Sequence, residues 1–186
     1  MNKSFYILYI LVFTVSVAMS QTFTAKLSID NVHVPELKPG DTIFVPVKLV
    51  ELSGGRIAGF QLYLEFDHSQ LEWIGSYENP LPGIKNIHKN ISFNTASWVI
   101  NDTDKQLAVI WIDPTFRGQE IKANDILFEA LFICKSKDVT KLNSKLKMGT
   151  VFEEVDGRIV RGVTELYSEI PDSYSLKFID GGIKNY

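Results

Sequence analysis

Apolar and polar residues alternate along most of the chain beyond residue 21. Ala25, Leu27 and Ile29 alternate with Lys26, Ser28 and Asp30. Ile43, Val45, Val47 and Leu49 alternate with Phe44, Pro46 and Lys48, and Phe60, Leu62, Leu64 and Phe66 alternate with Gln61, Tyr63 and Glu65. A two-residue period marks a strand with one buried face. Turn chemistry separates the runs at Lys38-Pro39-Gly40-Asp41, Ser53-Gly54-Gly55, Asn79-Pro80 and Pro82-Gly83. Further strands are predicted at 92–99, Gln106–Ile112, Ile126–Cys134, 145–152 and Ser175–Ile179. Gln106–Ile112 and Ile126–Cys134 are apolar at both parities, which predicts central strands. Pro46 inside a strand pattern predicts an edge or a bulge. No helical period is sustained, although 69–73 is long enough for one turn. Eight or nine short strands with turn residues between them predict an all-β sandwich.

The first 20 residues depart from this pattern. Lys3 carries the only charge before Lys26, and the run from Phe5 to Val17 is apolar except for Thr14 and Ser16. Ala18-Met19-Ser20 then places small residues at the −3 and −1 positions of a cleavage site. This is the pattern of a secretory signal peptide, cut after Ser20. The alternative is a retained anchor, because the run approaches the length that spans a bilayer. Cleavage leaves residues 21–186, with one domain over 22–186 and no membrane span, exported to the medium or the cell surface.

Composition narrows the function. Hydrophobic residues make up 45% and charged residues 22%, which argues against disorder. A formal net charge of −3 argues against a nucleic-acid partner held by phosphate neutralisation. The single cysteine, Cys134, lies in an apolar run and reads as a packed thiol. The core therefore holds the domain without an internal disulfide.

Catalytic and metal motifs are absent. His33, His68 and His88 fall in predicted turns and form no ligand pair. Glu65 with Asp67, and Glu153 with Glu154, read as solvated faces rather than a glycosidase pair. Asn101-Asp102-Thr103-Asp104-Lys105 begins like a calcium loop but lacks its Gly and distal Glu, and reads as a hairpin turn. Asn90-Ile91-Ser92 and Asn101-Asp102-Thr103 are glycosylation sequons. Tyr63 is predicted outward, and Trp98 and Trp111 lie on strands that neighbour each other if 101–105 is a hairpin loop. These three rings form either a carbohydrate-binding strip or, for the tryptophans, part of the core.

The order of motifs carries a resemblance. A Lys38-Pro39-Gly40-Asp41 turn opens an apolar strand. Ile57-Ala58-Gly59-Phe60 leads to Phe66-Asp67-His68-Ser69-Gln70-Leu71. A strand ends in Asp113, another begins at Asp125, and Ile179-Asp180-Gly181-Gly182 closes the series. The chain resembles cohesin domains over nearly all of residues 22–186. The resemblance implies a nine-stranded jelly-roll sandwich that is not an enzyme and has no cofactor of its own. It implies a protein partner, a dockerin, with calcium in that partner rather than in this chain. The docking face it implies comprises Gln61, Tyr63 and Glu65 on one strand, Asp67 and His68 in the turn after it, Asn94 and Ala96 on a middle strand, and Ala108 and Ile110 on the next. Direct recognition of polysaccharide through Tyr63, Trp98 and Trp111 is the alternative reading.

Overall fold

The computed structural model describes residues 23–75, 83–91, 98–102, 106–148, 151–155, 158–162, 165–168 and 174–184. At 98–102, 106, 141, 151–155 and 158–162 it describes the backbone alone. Among the described residues, fifteen strand segments follow in chain order. They are β1 (Thr24–Ile29), β2 (Asn31–His33), β3 (Thr42–Ser53), β4 (Ile57–Glu65), β5 (Leu71–Trp73), β6 (Ile84–Asn86), β7 (Trp98–Asp102) and β8 (Gln106–Ile112). After them come β9 (Ile126–Cys134), β10 (Asn143–Met148), β11 (Val151–Val155), β12 (Arg158–Gly162), β13 (Glu165–Ser168), β14 (Ser175–Ile179) and β15 (Gly181–Lys184).

Two sheets form the sandwich. One runs β14-β1-β3-β9-β5, with β6 also paired to β9; the other runs β2-β15-β10-β4-β8-β7, with β13 also paired to β4. β11 and β12 make a separate two-stranded ribbon. Most pairings are antiparallel, but β1 pairs with β14 and β15 pairs with β2 in parallel. The two runs that are apolar at both parities are interior, as predicted: β8 lies between β4 and β7, and β9 between β3 and β5.

The alternation builds the core directly. Ile43, Val45, Val47 and Leu49 of β3 and Phe60, Leu62 and Leu64 of β4 are all at most 1% exposed. Phe60 bridges the layers, with its ring centroid 5.5 Å from Trp111 in its own sheet and 5.9 Å from Phe128 in the other. Such aromatic pairs add directional attraction to area burial. Cys134 is buried in this core, and burial raises its thiol pKa above the ordinary value.

Three strand expectations change. Pro46 lies in an interior strand, opposite Glu129 of β9, not at an edge. Its carbonyl accepts from Asp30 N–H beyond the last β1–β3 pair, Ile29 with Val47. The side of Pro46 that lacks a donor thus faces a place where the β1 ladder has ended. The bulge half of the expectation fits better: the register with β9 shifts between Val47 and Lys48, one residue on. The strand predicted at 145–152 is divided between β10 and β11. The turn expected at 69–73 is shorter: Gln70 and Leu71 N–H both donate to the Asp67 carbonyl, and the chain is strand again from Leu71. The strand predicted at 92–99 lies mostly outside the described residues, which enter β7 at Trp98.

Candidate functional site

The outer surface of the β13–β4–β8 layer brings together most of the positions singled out in the sequence. Register sets the rows. Tyr167, Gly59 and Ile112 stand side by side; so do Glu165, Gln61 and Ile110, and then Tyr63 with Ala108. Gln61, Tyr63 and Ile110 are half-buried and Glu65 is exposed. Gln61 Nε2 donates to the Tyr63 hydroxyl at 2.8 Å, which fixes both side chains on this face. Ala108 belongs to the face but is only 4% exposed: a lone methyl among taller neighbours. The arrangement is a flat apolar middle with a polar rim, a surface suited to a protein partner.

Asp67 and His68 follow β4 but are turned to other work. Asp67 Oδ1 accepts from Ser69 N–H at 2.9 Å and Ser69 Oγ at 2.6 Å, and Oδ2 accepts from Gln70 Nε2 at 2.5 Å. The Ser69 and Gln70 hydrogen bonds hold its pKa below the ordinary carboxylate value. The His68 ring lies 3.9 Å from that of Phe66, with Nε2 buried. Its imidazole therefore packs on the domain rather than facing outward with Tyr63. Asn94 and Ala96 lie outside the described residues.

The aromatic strip loses a member. Trp111 is 1% exposed and packs on Phe60, so it is core. Trp98 stands at the register position of Ile110, not of Trp111. Strand alternation assigns those two positions to opposite faces.

The sequence reading missed three elements of this surface. Tyr167, on the four-residue β13, is 39% exposed and donates its hydroxyl to Glu165. Partial burial, then this carboxylate partner, push its pKa up to about 12. Phe116 is 74% exposed at the tip of the turn after β8. Asp113, wholly buried at the root of that turn, is the third. Its carboxylate accepts from Thr115 N–H (3.1 Å), Thr115 Oγ1 (2.8 Å) and Gln119 Nε2 (3.0 Å). Burial alone would raise its pKa, but the hydrogen bonds from Gln119 and Thr115 hold it below the ordinary value. The terminal Asp of the motif was visible in the sequence; that it anchors an exposed phenylalanine was not.

The histidines are not all solvated. His33 is exposed on β2, but the His88 side chain is 11% exposed and its Nε2 lies 3.0 Å from Asp125 Oδ2. His88 Nδ1 accepts from Asn90 N–H, so the ring clasps two loops together. Among the described residues no group of three or more His, Cys, Asp or Glu side chains is placed to hold a metal ion.

A family model for the cohesin domain matches residues 25–166. No curated protein matches the chain. Among solved structures, the sixth cohesin of Acetivibrio cellulolyticus scaffoldin B, seen in complex with a Cel5 dockerin mutant, is 18% identical with a TM-score of 0.67, covering 88% of this chain and 99% of that one. The Coh-OlpA–Doc918 type I cohesin–dockerin complex of Clostridium thermocellum matches at 20% identity and TM-score 0.61, with coverage of 88% and 99%. A non-cellulosomal cohesin from the archaeon Archaeoglobus fulgidus matches at 16% and 0.55, with coverage of 89% and 91%. At these identities the likeness is one of fold. The family match runs from β1 into β13, ending at Leu166; it takes in β4 and β8 whole and Glu165 of the face just described, and with it the chain belongs to the cohesin domain family.

Proposed function

We propose that this chain is a non-catalytic docking module that seats a dockerin on the outer face of β4, β8 and β13. The observation that carries the reading is the composition of that face. Gln61 and Tyr63 are tied together beside Ile110, with Glu65 and Glu165 at the rim. A helix laid across such a strip buries apolar area at its centre and finds hydrogen-bond partners at its edge. Calcium belongs to the partner in this reading. Residues 1–20 export the module, which acts outside the cell or at its surface.

The test is direct binding. The immobilised protein is challenged with a panel of dockerins, including Doc918 and the Cel5 dockerin, in calcium and then in chelator. Saturable binding that chelator abolishes, and that Tyr63→Ala weakens at least tenfold without lowering Tm, supports the reading. Binding undiminished by Tyr63→Ala removes this face from the proposal. Failure of every dockerin to bind retires the docking function.

A further inference from the structure

Phe116 combines three properties that rarely coincide. It is a large apolar side chain with 74% of its surface exposed, and its φ is +55°. That left-handed conformation is disfavoured for a residue with a β-carbon, asparagine and aspartate least. Its turn is also held at both ends. Asp113 N–H donates to the Ala58 carbonyl at 2.8 Å, Phe116 N–H to the Asp113 carbonyl at 3.0 Å, and Gln119 pairs with Ile57 through both backbone groups. The buried Asp113 carboxylate ties the interior of the turn together. Strained backbone persists where the surroundings over-determine it, and such positions cluster at functional sites.

The strained residue closes a hollow. Gly59 has no side chain, and a β-carbon there would come within 2.9 Å of the Trp111 carbonyl. The row Tyr167–Gly59–Ile112 is therefore notched at its middle. Gln61, Ile110 and Phe116 complete an open recess of ≈ 460 Å³. The recess is continuous with the flat face through Gln61 and Ile110.

We infer that this recess is an anchoring pocket that receives one apolar side chain, of leucine to tryptophan size, from a helix of the docked partner. The inference rests on the docking face proposed above and adds its specificity determinant. Phe116 forms the outer wall, Gly59 the floor, and Ile112 and Tyr167 the flanks. Glu165 stands at the rim with Tyr167, so a basic residue beside the anchoring side chain complements the site by charge. Buried anchors of this kind concentrate binding energy in few residues.

The experiment uses indole as a probe, so that it does not depend on dockerin binding. The full chain is labelled at isoleucine methyls and titrated with indole by NMR. Saturable shifts at Ile110 and Ile112, with Ile43 and Ile183 unmoved, are expected. Phe116→Asn removes the ring but suits a positive φ; it should keep or raise Tm and weaken indole binding at least fivefold. Absent shifts at Ile110 and Ile112, or shifts equal in Phe116→Asn and the wild type, overturn the pocket. Indole binding without any dockerin binding leaves the pocket standing and removes the dockerin as its occupant. Dockerin binding of equal strength in Phe116→Asn keeps the docking face and overturns the anchor.

Discussion

Replacing Asp113 by asparagine isolates a single buried carboxylate. The side chain is fully enclosed and accepts three hydrogen bonds from Thr115 and Gln119. Asparagine keeps the shape but retains one acceptor oxygen and turns an NH₂ group towards a donor. Hydrogen bonds to charged groups contribute about 1.5–3 kcal/mol each, and a buried donor left without a partner costs about 1–3 kcal/mol. Part of the charged-form advantage is offset by the desolvation of the carboxylate itself. The expected loss at pH 7 is about 2–4 kcal/mol, or roughly 5–15 °C in Tm for a domain of this size. The sign with pH follows from the depressed pKa of Asp113 in the folded state. Its contribution is complete above the unfolded value of about 3.9 and is lost as pH falls through the lower folded value. Thermal melts of Asp113→Asn and wild type, followed by calorimetry from pH 7 down to pH 2.5, should show a gap that narrows below about pH 4. A negligible gap at pH 7, or one that stays constant across the acid range, would refute the assignment of Asp113 as an ionised anchor.

Three other perturbations test separate parts of the structure. Gly83→Ala puts a β-carbon 2.1 Å from Trp73 Nε1 and threatens the 2.9 Å hydrogen bond from that nitrogen to the Gly83 carbonyl; urea unfolding should show a loss of about 2–4 kcal/mol, and a loss near zero would mean that the indole moves freely. Tyr167 should ionise at about 12, and its contribution to stability, present below about pH 10, should fade as pH rises towards that value. Absorbance at 295 nm, read as a difference against Tyr167→Phe, should show the ionisation moving down in Glu165→Gln; an unmoved value would assign the shift to burial alone. Asp125→Ala removes the acceptor shared by His88 Nε2 and Lys122 N–H. Amide exchange at Asn90 and Lys122 should accelerate at least tenfold while Leu62 stays protected, and equal protection throughout would show that the clasp does not hold its loops.

Legibility followed length and parity. β1, β3 and β4 each carry several alternations, and their apolar positions are buried as the pattern requires, with Ser28 of β1 the polar position that is buried as well. β2, β5 and β6 have three residues each, and β13 and β15 have four; segments so short offer too few repeats to establish a period. Pro46 left an edge or a bulge open, and only the irregularity is found, one residue on; the sequence does not say where a neighbouring strand stops. Trp111 was ambiguous because an aromatic in a run apolar at both parities belongs to either face, and only the pairing of β8 with β4 assigns it inward. The proposed face was half legible. Gln61, Tyr63 and Glu65 share a parity on a strand with a clear period. Tyr167 arrives by a long-range pairing, and Phe116 is exposed through the hydrogen-bonding of Asp113, which no local pattern encodes.

The parallel pairings at the chain's extremities bear on how the protein must be made. Thr24 pairs with Ser175, and Asn31 with Gly182, so each sheet borrows a strand from the end of the chain to cover one near its beginning. A nascent chain that has not yet released residues 175–184 presents β1 as an open edge, and β2 lacks the partner it has in the finished sheet. Exposed edges of this kind invite pairing with other chains, and contacts this distant in sequence slow folding. Completion is therefore a late event at both sheets together. A shortened product ending before residue 175 would emerge with both sheets unfinished and prone to associate, rather than as a slightly smaller domain.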